Sequence, residues 1–154
     1  MNKKERYRQV LSRLCKQKIL EQYQTVLNIM VSDRQLRLLT VEEEDKWKRS
    51  LNILDKSNCS NHFCSKFPFD NIEDLYCFVH EKSQYCNDKY LLWLDTVVPS
   101  YYIIESLNDI SFSFDCSFST GIMTLRSITN KERILIEWDL DCGKPMFEVN
   151  IYSN

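Results

Sequence analysis

From Ile110 onward the chain alternates. Ile110, Phe112, Phe114, Cys116 and Phe118 are separated by Ser111, Ser113, Asp115, Ser117 and Ser119. Successive side chains of a strand point to opposite faces, so this period of two predicts a half-buried β-strand over 110–119. Residues 122–128 predict a second strand. After Thr129-Asn-Lys-Glu132, a third sets Ile134, Ile136, Trp138 and Leu140 against Arg133, Leu135, Glu137 and Asp139. Asp141-Cys-Gly-Lys-Pro145 makes the next turn, and a fourth strand places Phe147, Val149 and Ile151 on one face and Glu148 and Asn150 on the other. A parallel neighbour needs a crossover of a dozen or more residues, so strands joined this closely pair antiparallel. Residues 109–154 are therefore expected to form a four-stranded antiparallel meander.

One apolar face of such a sheet must be covered, and the preceding residues read as helices. Residues 4–30 carry Tyr7, Val10, Leu11 and Leu14, then Leu20, Tyr23, Val26, Leu27 and Met30 at near-helical spacing, interrupted at Lys16-Gln17-Lys18. Thr40-Val-Glu-Glu43 fits a capping box and opens a helix over 41–55, with Trp47, Leu51 and Leu54 inward. Residues 56–69, rich in Ser and Asn and ending in Phe67-Pro68-Phe69, read as a loop. Asp70 with Glu73 repeats the capping signature ahead of Ile72, Leu75, Tyr76 and Val79. Tyr90–Leu94 reads as a short helix or strand, and Tyr101–Ile104, beyond Pro99, as a short helix. The expected fold is α+β: one domain, 1–154, with a helical part (1–108) packed on one face of the sheet (109–154).

A chain of 154 residues that is 44% hydrophobic, with two glycines, can bury a core of its own. No run approaches the roughly 20 apolar residues that span a bilayer, and MNKKERYRQV lacks the apolar segment of a signal peptide. The expected location is the cytoplasm, with the seven cysteines reduced. The net charge of −2 hides a division: residues 1–50 hold 12 Lys/Arg against 7 Asp/Glu, the remainder 8 against 15.

Both histidines lie three residues after a cysteine. Cys59, His62 and Cys64 could supply one pair of zinc ligands and Cys77 with His80, three apart on a helix, another. The spacing matches no tight C-x2-C pattern, and buried thiols are the plainer reading. No Gly-rich phosphate loop or nucleophile elbow is present, so neither an enzyme nor a cofactor is expected. Lys3, Lys4, Arg6, Arg8, Arg13, Lys16 and Lys18 face a single acid, Glu5, and could track phosphates, yet the acidic remainder would repel nucleic acid.

The favoured surface is acidic. Asp115, Glu137, Asp139, Asp141 and Glu148 fall on the sheet face away from the core or at its turns, with Tyr101, Tyr102 and Tyr152 as aromatic anchors. Such a face suits a basic protein partner, while a merely solvated face is the bland alternative. With its strand Ile134-Leu-Ile-Glu-Trp-Asp-Leu-Asp141, single α+β domain and no catalytic motif, the chain resembles the small acidic immunity proteins of contact-dependent inhibition and other polymorphic toxin systems. The resemblance implies a stoichiometric inhibitor of a cognate toxin, a basic nuclease domain. The rival expectation is a zinc-stabilised nucleic-acid-binding or regulatory module built from the Cys/His loop and the basic helix.

Overall fold

The computed structural model describes residues 2–27, 36–49, 53–94, 100–110, 120–139 and 146–154. In chain order these hold α1 (Lys3–Leu27), β1 (Leu36–Leu38), α2 (Val41–Arg49), β2 (Asn61–Pro68), α3 (Ile72–Lys82), β3 (Tyr90–Leu94), β4 (Ser100–Ile104), a 3-10 turn (Leu107–Asp109), β5 (Thr120–Ser127), β6 (Glu132–Asp139) and β7 (Met146–Ser153). The fold is α+β. Among the described residues seven strands form one sheet in the order β1-β4-β3-β5-β6-β7-β2, and each neighbouring pair is antiparallel.

The meander β5-β6-β7 matches the expected pairing, but the sheet is larger than four strands. The segment expected to be its first strand falls at 111–119, outside the described residues; Ile110 at its start is buried. Four strands come instead from the part expected to be helical. Residues 61–68, read as loop, form edge strand β2, which pairs with β7 along its whole length. Phe63 and Phe67 point inward there, while His62, Cys64 and Lys66 occupy the alternate positions. Polar neighbours masked that period of two, and Pro68 ends the strand at a sheet edge, where a missing N–H costs least. Tyr101–Ile104 is strand rather than helix. Tyr102 and Ile104 enter one core cluster and Ile103 the other, so both faces are apolar and no alternation survives in the sequence.

One sheet face carries the main core: Tyr90 and Leu92, Tyr102 and Ile104, Met123 and Leu125, Ile134, Ile136 and Trp138, and Phe147, Val149 and Ile151. α3 covers it through Leu75 and Val79, both fully buried, with Ile72 and Phe78 beside them. Helix α2 lies on the opposite face, where Trp47 and Leu39 pack on Leu91 and Ile103. The helices therefore flank both faces, correcting the one-sided packing expected. The first part of the long N-terminal helix supplies no buried side chain to the main core. The described side chains of α1 up to Lys18 are exposed, including Tyr7, Val10, Leu11 and Leu14. No helix among the described residues is long and apolar enough to cross a membrane.

Local signals explain the element ends. The capping box forms as read: Glu43 N donates to Thr40 Oγ1 at 3.2 Å and Thr40 N to Glu43 Oε2 at 2.9 Å. α2 is described as far as Arg49, residues 50–52 lie outside the described residues, and 53–55 are not helical, so the helix does not reach the expected residue 55; Leu54 is buried. Asp70 and Glu73 do not box α3; Asn71 holds the cap position and its amide bonds Asp74. Between β5 and β6, Asn130 takes a left-handed φ of 58°, which a short polar side chain tolerates.

A buried carboxylate ties these layers together. Glu132 is fully buried and accepts from Tyr90 Oη at 2.6 Å, from Gln84 N at 2.9 Å and from Ser83 Oγ. Three donors replace the lost hydration, and they fix the end of α3 to β3 and β6. Burial, then the Glu132 bond, pushes the Tyr90 phenol far above its ordinary pKa.

Candidate protein-docking face

Alternation along β6, β7 and β2 turns a second set of side chains away from the α3 side. β6 contributes Arg133, Leu135, Glu137 and, by position, Asp139; β7 contributes Glu148, Asn150 and Tyr152; β2 contributes His62, Cys64 and Lys66. Glu137 stands directly opposite Glu148, and Ile122 flanks it on β5. Ile122, Leu135, Glu137, Met146 and Glu148 are all half-buried. The patch thus mixes aliphatic surface with paired carboxylates.

A chain of hydrogen bonds runs across its outer edge. His62 Nε2 lies 2.9 Å from Asn150 Oδ1, and the Asn150 amide donates to Glu148 Oε1 at 3.4 Å. Lys66 Nζ approaches Glu148 Oε2 at 3.5 Å, with the two side chains 63% and 41% exposed. An ion pair this open contributes little to stability, so Lys66 is easily released toward a competing charge.

The aromatic anchors are placed differently from expectation. Tyr152 is 8% exposed: His62 stacks on its ring at 4.7 Å and 8°, and the Arg133 guanidinium lies 5.8 Å from the ring centroid. It is packing beneath the face rather than a contact upon it. Burial raises its phenol pKa, against the opposing pull of Arg133. Tyr102 is buried in the main core. Asp139 lies on β6 opposite Thr120 and Met146, while Asp115 and Asp141 lie outside the described residues. Of the acidic residues read from sequence, the structure brings Glu137 and Glu148 together, with Asp139 next along the same strand face. Lys66 was missed because its segment read as loop.

The cysteine and histidine set is not assembled. His62 and Cys64 occupy the face away from α3, whereas Cys77 and His80 belong to α3, across the sheet. His80 packs on the Tyr76 ring at 4.1 Å, and its Nε2 is buried without a hydrogen-bond partner. Burial lowers its pKa, opposed in part by a hydrogen bond with Asn108. Among the described residues no group of three or more His, Cys, Asp or Glu side chains is placed to hold a metal ion.

No protein-family model, curated protein or solved structure matches the chain.

Proposed function

We propose that this protein is a non-enzymatic binding module whose partner is a basic protein, docked on the sheet face that carries Glu137 and Glu148. The observation that supports the reading is their register: two carboxylates opposed across β6 and β7 on a half-exposed face. Like charges set directly opposite one another destabilise a sheet. A lysine or arginine arriving from a partner relieves that repulsion and gains steered, specific association. Ile122, Leu135 and Met146 supply apolar contact beside the charges.

Within that class the reading adopted is an immunity protein that captures a cognate toxin, a basic nuclease domain, in line with the resemblance of the β6 segment and the single α+β architecture. Carboxylates imitate the charge of the phosphates such an enzyme binds, and capture needs no chemistry of its own. Coexpression with the product of the adjacent gene is the test. A stoichiometric complex that abolishes the partner's toxicity supports the reading; an adjacent product that is neither bound nor toxic overturns it.

A further inference from the structure

A second feature lies on the same sheet face, toward the end carrying Arg133. Leu91 and Trp93 of β3, Thr124 and Arg126 of β5, and Arg133 of β6 line a pocket of about 150 Å³ together with Trp47 of α2 and Ile53. The register sets Trp93 opposite Thr124, Leu91 opposite Arg126, and Arg126 opposite Arg133.

Two observations point independently to a ligand. The first is Thr124, which is 6% exposed and whose Oγ1 is buried with no hydrogen-bond partner. A hydroxyl stripped of water costs stability, and valine would fill the same space without that cost. The second is the pair of guanidinium groups on adjacent strands. Arg126 is buried and donates through Nε to Asn130 Oδ1 at 2.9 Å; Arg133 donates through Nη1 to Leu54 O at 3.0 Å. An acid is felt by the pair: Asp55, whose charge interacts with Arg133 from an exposed position. Arginine's planar set of N–H donors suits a carboxylate in two-pronged geometry.

The walls decide the rest of the ligand. Two indoles, Leu91 and Ile53 form an apolar surface, and a cavity of roughly this volume accepts a benzene-sized molecule. We propose that the pocket binds a small aromatic carboxylate, a single ring bearing one carboxyl group. The ring packs on Trp47 and Trp93, the carboxylate meets Arg126 and Arg133, and the Thr124 hydroxyl bonds the ligand. The pocket shares Arg133 with the docking face, but the capture of a small carboxylate does not depend on a protein partner.

Titration of the intact protein with benzoate, followed by tryptophan emission, tests the proposal. The third tryptophan, Trp138, is buried in the core on the opposite face, so the signal comes from the pocket. The expected result is saturable binding with a Kd on the order of 1 mM, as suits a ligand of this size, and at least about tenfold weaker binding of benzylamine. Arg133→Met should weaken benzoate about tenfold and Thr124→Val several-fold, with thermal melts confirming both folds. If Arg133→Met fails to fold, Thr124→Val decides alone, since removing an unpartnered hydroxyl keeps the fold. A response that never saturates, equal affinity for benzylamine, or undiminished benzoate binding by folded Thr124→Val overturns the proposal.

Discussion

Glu137 and Glu148 occupy directly opposed positions on β6 and β7, both on the face turned away from the α3-covered core. Among the described residues, Lys66 forms an ion pair with Glu148, at 3.5 Å. Like charges set opposite one another disfavour a sheet, and on the function proposed above a basic partner relieves that repulsion.

Glu137→Gln is therefore expected to stabilise the free protein, by about 0.2–1 kcal/mol at low salt, from relief of the cross-strand repulsion. In 1 M salt the gain should shrink, because screening already weakens the repulsion. Urea unfolding at two salt concentrations measures both effects; a less stable variant would show that Glu137 serves the fold.

The Glu132 network should behave in the opposite sense. Glu132→Ala leaves Tyr90 Oη, Ser83 Oγ and Gln84 N without their shared acceptor, and a loss of about 3–5 kcal/mol is expected. Tyr90→Phe removes one donor to a charged group and should cost about 1.5–3 kcal/mol. Equilibrium unfolding of both variants checks the ranking, which fails if Tyr90→Phe proves the more damaging.

Acid should act through His80. Its folded pKa lies below the unfolded value, so as pH falls the unfolded chain takes up the proton first. This contribution to stability is fully present above the unfolded pKa of about 6.5 and declines as pH drops through it toward the folded pKa. His80→Gln should flatten the stability profile between roughly pH 7.5 and 5.5. An unchanged slope in that variant would remove His80 as the cause.

The division of labour between helices is equally testable. Leu75 of α3 is fully buried, and Leu75→Ala should cost about 2–5 kcal/mol. Leu11 and Leu14 of α1 are exposed, so Leu11→Ser with Leu14→Ser should change stability by no more than about 0.5 kcal/mol. Thermal melts of the two proteins give the comparison, and a large loss in the α1 variant would mean that α1 packs on the body.

Sequence reading succeeded where one face is wet and the other dry. β6 and β7 alternate because Ile134, Ile136, Phe147, Val149 and Ile151 are buried while Glu137 and Glu148 meet solvent. It failed at β4, where Tyr102 and Ile103 are buried on opposite faces and the period disappears. At β2 it failed because His62, Cys64 and Lys66 resemble loop composition, and pairing with β7 is a long-range fact. The stripe on α1 showed the helix correctly but did not reveal that Tyr7, Val10, Leu11 and Leu14 are exposed. The site was half legible for the same reason. Strand alternation exposed Glu137 and Glu148, whereas Trp47, Trp93, Thr124 and Arg133 converge only through the strand order and the placement of α2.

The most direct measurement is the affinity of the intact protein for the product of its adjacent gene, compared with Glu137→Lys combined with Glu148→Lys. Reversing both charges should weaken binding by about 100-fold or more, and association of the unaltered protein should slow as salt rises. Equal affinity of a folded double variant, with association indifferent to salt, would contradict docking on this face.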